Sequence, residues 1–264
     1  MTTVEFAENT AAWFEQAGLS RFEDFFHFNG GTLINRNRNR DVVKFSLDAG
    51  GRKKTLFMKR FFHPHIKDML FARRSFGRLC SQAGCEWHNA SILLHNGIGT
   101  YRPLCCGEHM LFGLERQSFL ITEELPGRCL SEFVGQSWAQ TGRYNKEAVV
   151  AAMGRFVRKI HNAAVSMPDL YVWHLFLETH DEGYGLAIID LHRMRAGVKG
   201  ESEKIRNLGA LEFSMLGEYF DDALKDVFFD SYFGTDFRGD KGLFRQKVRH
   251  RCSVLRKRRH KPVY

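Results

Sequence analysis

The sequence predicts an α+β fold with a β-rich first half and an α-rich second half. Paired alternating runs around a glycine turn lie near the N-terminus, a long helical periodicity follows in the middle, and the pattern is helical from Lys204 to near the C-terminus. Strand-like and helix-like segments are segregated rather than alternating, which argues against a doubly wound parallel sheet.

Taken in order, the turn signals Asn29-Gly30-Gly31 and Asp48-Ala49-Gly50-Gly51 punctuate two alternating runs, Val42 to Leu47 and Thr55 to Phe62. These read as a β-hairpin. Period-2 geometry puts Phe57, Lys59 and Phe61 on one face, so an ammonium sits among aromatics, where leaving it unpaired is costly. A basic, partly apolar segment follows. Cys85 to His95 then reads as a helix ended by Asn96-Gly97, with Glu86 in its first turn. After a turn-rich interval, Ser118 to Glu124 is an apolar strand stopped by Pro126-Gly127. Val149, Met153, Phe156, Val157 and Ile160 recur at helical spacing and predict a helix from about Lys146 to Asn162. Met167-Pro168 breaks that helix into an irregular loop, Val165 to Leu177, and Leu186 to Asp190 is a short apolar strand ending in an acid.

A chain of 264 residues with 44% hydrophobic content buries a sizeable core. No stretch matches the roughly 18 to 20 apolar residues of a membrane span. Glu5, Glu8 and Glu15 are wrong for a signal peptide, so a cytoplasmic location is expected. The six cysteines lack C-x-x-C spacing and a secreted disulfide framework, and reduced thiols are the default. The net charge of +9 is uneven: residues 245 to 261 hold nine Lys or Arg and no acid. That end is either a solvated helix and tail or a docking surface for something anionic.

Four ionisable residues stand at element ends or among apolar neighbours: Lys59, Glu86, Asp169 and Asp190. Singly, each has an ordinary reading as a snorkelling lysine, a helix-dipole partner or a turn aspartate. In this order they match what phosphoryl transfer on a protein-kinase-like fold requires. A strand lysine holds phosphates, a helix glutamate fixes the lysine, a loop aspartate takes the hydroxyl proton, and an aspartate after a strand binds Mg²⁺. The second metal ligand falls five residues after the loop aspartate, at His174, a softer ligand than the usual asparagine oxygen.

The runs L-F-M-K, C-E-W-H-N-A, S-F-L-I-T-E-E-L, the block from Asp169 to Leu177, I-I-D-L-H-R from Ile188 to Arg193 and R-N-L-G-A-L-E-F-S from Arg206 to Ser214 resemble the lipopolysaccharide core heptose and 3-deoxy-octulosonate (Kdo) kinase family. The similarity runs from about Gly31 to Phe233, and histidine at the position of His174 is a feature of the heptose-kinase branch. The resemblance implies a two-lobed fold with an N-lobe over 1-118, a hinge over 119-126 and a helical C-lobe over 127-264 that ends in the basic tail. It implies ATP and Mg²⁺ as cofactors, Lys59 on the ATP phosphates, Glu86 paired with Lys59, and backbone contacts to adenine around Glu123 and Leu125. It implies Asp169 as catalytic base, with Asp190 and His174 as metal ligands. The acceptor it implies is an inner-core sugar of lipopolysaccharide.

Two departures stand out. Met167-Pro168-Asp169 replaces an H-R-D run, and the turn Gly31 to Arg38 replaces a G-x-G-x-x-G phosphate loop with arginine and asparagine side chains. The altered loop keeps open a small soluble sugar-like acceptor, and a catalytically silent kinase-like binding protein is the reading from another class. His65 to Arg78 reads either as a partly buried insert or as a basic amphipathic surface for peripheral contact with the inner membrane. Nucleic acid competes for the same positive charge, but no nucleic-acid module accompanies it. His161 and His192 are read as ordinary packed or exposed residues.

Overall fold

On the first hairpin Val43, Phe45 and Leu47 point into the core from β3 (Arg40–Asp48), and Leu56 and Met58 join them from β4 (Lys53–Phe61), as their alternation predicts. The fold is described from a computed structural model over residues 1–62 and 80–264. The His65 to Arg78 surface lies outside the described residues. Among those described, no helix is long and apolar enough to cross a membrane.

The chain divides into two units, the first comprising residues 1–94 and 101–124, the second residues 95–100 and 125–264. The first is built on an antiparallel six-stranded sheet. With β1 (Thr2–Phe6), β2 (Thr32–Arg36), β6 (Pro103–Leu111) and β7 (Leu114–Glu123), its order is β1-β6-β7-β4-β3-β2. The short helices α1 (Ala11–Gln16) and α2 (Phe22–Phe26) place Phe14, Phe22, Phe25 and Phe26 against Phe45, Met58 and Phe119 of the sheet. Phe25 and Phe119 stack at 4.8 Å. Helix α3 (Gln82–His95) starts three residues before the expected position, so Glu86 sits in its second turn, not its first. The expected phosphate-covering turn is mostly strand: β2 carries Thr32 to Arg36, and the reversal follows at Asn37, whose Oδ1 accepts from Asn39 N and Arg40 N.

A buried ion pair ties α2 to the sheet. The Arg60 guanidinium grips both oxygens of Asp41 (2.9 and 2.8 Å) and also donates to the carbonyls of Phe26 and Phe28. Asp41 is 2% exposed. Removing the arginine strands that carboxylate and two carbonyls, so Arg60→Ala is expected to lower stability by about 3 kcal/mol in urea unfolding. A change below the noise of that measurement would mean that water replaces the arginine.

In the second unit β5 (Gly99–Thr100) lies parallel to β10 (Gly183–Ile188), and β9 (Leu175–His180) and β8 (Arg128–Cys129) continue the sheet. The helices are α4 (Leu130–Ser137), α5 (Arg143–Asn162), α6 (Glu201–Ser214), α7 (Asp222–Phe233) and α8 (Lys241–Arg258). Asp221 and Asp240 cap α7 and α8 by accepting from Leu224 N and Leu243 N. α5 and α7 pack so closely at Gly154 that a Cβ there would lie 2.4 Å from the Phe228 carbonyl oxygen. Around the candidate loop the boundaries differ from the sequence reading. The loop expected over Val165 to Leu177 contains a 3₁₀ turn at Val172–His174 and the start of β9. The strand expected to end at Asp190 is β10, which stops at Ile188 and leaves Asp190 in the turn beyond it.

Candidate active site

Lys59 lies on the face of β4 opposite Leu56 and Met58, where its Nζ sits 5.3 Å from the centre of the Phe61 ring. Its charge is met by Glu86: Nζ lies 2.5 Å from Oε1, and Tyr101 Oη donates to Oε2 at 2.9 Å. Glu86 is 2% exposed, so without these donors its carboxylate would carry a heavy desolvation cost. A buried glutamate in the second turn of α3 is therefore a lysine anchor rather than a helix-dipole partner. At the end of β7, Glu123 donates its N–H to Arg102 O, and its side chain pairs with Lys54. Any backbone contact of Glu123 with a nucleotide falls to its carbonyl. The N–H of Leu125 pairs with no described backbone carbonyl.

In the second unit, Ser166 and Arg195 exchange both backbone hydrogen bonds, at 2.8 and 3.0 Å, which lays the segment after β10 alongside the loop after α5. Arg193 Nη1 thereby reaches both oxygens of Asp169, at 3.2 Å each. His174 Nδ1 donates to the Asp169 carbonyl at 2.8 Å. That bond fixes the tautomer and leaves the Nε2 lone pair open; it faces Asp190 Oδ2 at 3.7 Å. His192 Nδ1 lies 3.1 Å from Asp190 Oδ1. Asp190 itself has a φ of 63°, a left-handed conformation that costs on the order of 1 kcal/mol. The second unit thus brings Asp169, His174 and Asp190 together, and adds Arg193 and His192. Sequence reasoning assigned no role to His192, and to Arg193 only a place in a motif. The Nη1 group that Arg193 offers both oxygens of Asp169 comes from 24 residues downstream, so no local spacing announces it.

The loop lacks the histidine and arginine of an H-R-D run and is buttressed from elsewhere. The fully buried Asn207 of α6 accepts at Oδ1 from Met167 N (2.8 Å) and from His161 Nε2 (3.2 Å). His161 Nδ1 lies 2.9 Å from Tyr232 Oη, which donates to it. Burial pushes the His161 imidazole down to about 4 from its ordinary 6.5, outweighing the Asn207 bond that favours the proton. The unfolded chain then binds this proton more readily than the folded one, so the stability from neutral His161 is full above pH 6.5. It is lost as pH falls toward 4, a change of about 3 kcal/mol. Urea unfolding at pH 7 and pH 4.5 checks this, since His161→Gln is expected to flatten that part of the profile. An unchanged pH slope in the variant would assign the dependence to other groups.

Residues 29–232 match the model of the lipopolysaccharide kinase (Kdo/WaaP) family. The chain is 27% identical over 188 residues to the lipopolysaccharide core heptose(I) kinase WaaP of Escherichia coli (strain K12), covering 69% of each protein. It is 30% identical over 138 residues to the protein of the same name from Pseudomonas aeruginosa, covering 50% of this chain and 52% of that one. Its fold matches a solved structure described as WaaP in complex with acyl carrier protein, with a TM-score of 0.72 at 23% identity over 96% of this chain and 99% of that one.

Proposed function

We propose, from the premise that the chain belongs to the lipopolysaccharide kinase (Kdo/WaaP) family, that it transfers the γ-phosphoryl group of ATP to a hydroxyl of an inner-core heptose. The observation that carries the reading is the Asp169 carboxylate held by Arg193, on a loop whose His174 turns an open nitrogen toward Asp190. Asp169 aligns the sugar hydroxyl and takes its proton as the oxygen bonds to phosphorus and the bond to the ADP oxygen breaks. Arg193 holds that carboxylate in one orientation, so little rotational freedom remains to be lost in the transition state. Lys59, held in place by Glu86, binds the α- and β-phosphates.

Asp190, with the open Nε2 of His174 beside it, fits a divalent cation of the Mg²⁺ type, the carboxylate being the hard ligand and the imidazole the weaker one. When bound, the cation neutralises charge on the β- and γ-phosphate oxygens. The acceptor is lipid-linked, so the reaction belongs at the cytoplasmic face of the inner membrane, where the basic C-terminal stretch suits an anionic surface. The test supplies γ-labelled ATP and Mg²⁺ with lipopolysaccharide lacking core phosphate. Label in the core is expected. Label on a soluble aminoglycoside-like sugar and none on lipopolysaccharide would overturn the acceptor, and ATP binding with no transfer to either would mean a silent kinase fold.

A further inference from the structure

A cavity of about 350 Å³ opens in the second unit between the end of α6 and the C-terminal tail. Phe213 and Leu216 contribute to its apolar wall, Pro262 lines it from the tail, and Arg256, Arg259 and Lys261 bring three cations to it. The Arg256 side chain makes no hydrogen bond or close ion pair with any described residue, and its charge acts at longer range on the buried Glu212 carboxylate. Among the described residues Lys261 pairs only with Glu218, at 3.5 Å, and both side chains are more than half exposed, so this pair is weak and readily exchanged. The three cations repel one another, Glu218 and Glu212 offset only part of that repulsion, and the apolar wall strengthens any charge interaction made inside.

The third cation leads toward the chemistry. Arg259 donates to Tyr171 Oη and lies over the Tyr171 ring at 5.5 Å. Tyr171 stacks on Trp173 at 4.5 Å, and it stands two residues after Asp169. Arg259 thus lines the cavity and touches, through Tyr171, the loop that carries Asp169. A cavity of this volume admits a sugar-sized group, and guanidinium forks match carboxylate and phosphate oxygens.

We infer that this cavity is an acceptor subsite that takes an anionic substituent, carboxylate or phosphate, on a sugar of the glycan other than the one phosphorylated. The inference rests on the kinase reading for its role, but anion binding can be measured without turnover. The test compares the full chain with the Arg256→Ala/Lys261→Ala variant, which leaves the Arg259 to Tyr171 contact in place. Inorganic phosphate is titrated calorimetrically, and transfer is assayed with delipidated core oligosaccharide carrying its native acidic groups. Phosphate affinity is expected to fall at least tenfold. The KM for the oligosaccharide is expected to rise at least tenfold while kcat changes less than threefold. Equal phosphate affinity in the two proteins overturns the site. Weaker binding to phosphatidylglycerol vesicles with unchanged oligosaccharide KM also overturns it, because the anion would then be a lipid headgroup. Loss of phosphate binding in the variant, together with no transfer by either protein, upholds the anion site and overturns the kinase reading instead.

Discussion

Asp169→Asn is expected to lower kcat by about a thousandfold while leaving ATP affinity within a few-fold of wild type. The amide keeps the size of the carboxylate but cannot take the hydroxyl proton, and general-base catalysis contributes roughly 10² to 10⁴ in rate. It also gives up the charge that Arg193 grips through both oxygens, so the hydroxyl is less well aligned and the loss falls in the upper part of that range. Because Asp169 holds His174 through its backbone carbonyl, the substitution leaves that contact intact. Rapid-quench measurement of a single turnover at saturating ATP separates the chemical step from binding. A kcat within tenfold of wild type would remove Asp169 from the proton transfer.

The second large effect is expected at Asp190. Asp190→Asn retains an oxygen that His192 can reach but loses the negative charge beside His174. Removing one preorganised electrostatic group from a transition state costs on the order of 10² to 10³ in kcat. Here the loss is expected to be accompanied by a rise of at least tenfold in the Mg²⁺ concentration giving half-maximal rate, since the hard ligand has been exchanged for a neutral one. Lost rate with an unchanged Mg²⁺ requirement would reassign Asp190 from holding the cation to shaping the turn after β10.

The elements legible in the sequence were those whose pattern is local. The β3–β4 hairpin carries strict alternation closed by glycines, and α5 sets Val149, Met153, Phe156, Val157 and Ile160 at helical spacing. The elements that escaped have no such pattern. Helices α1 and α2 are six and five residues long, too short to display a helical period, and they earn their place through aromatic packing on the sheet. Strand β6 is buried at five successive residues from Pro103 to Gly107, so no polar alternation marks it.

The same division runs through the site. Lys59, Glu86, Asp169, His174 and Asp190 stood out as candidates because their order along the chain suits phosphoryl transfer; the structure pairs Lys59 with Glu86 and sets Asp169, His174 and Asp190 close together. Arg193, His192 and Asn207 act across turns and between helices, and their partners are set by the Ser166–Arg195 bridge and by the packing of α5 against α7. The replacement of His-Arg by Met167-Pro168 looked like a loss of support. Asn207, itself held by His161, accepts from Met167 N on one side and Arg193 holds Asp169 on the other, so the loop is fixed by different atoms.

Mass spectrometry of the delipidated core tests the central claim most directly. Lipopolysaccharide lacking core phosphate is incubated with ATP, Mg²⁺ and either wild-type protein or Asp169→Asn, and the fragmented product is read for a phosphoryl group. One phosphoryl group on a heptose, present with wild type and absent with Asp169→Asn, is the predicted result. A core of unchanged mass, from wild-type protein that binds ATP, would contradict it.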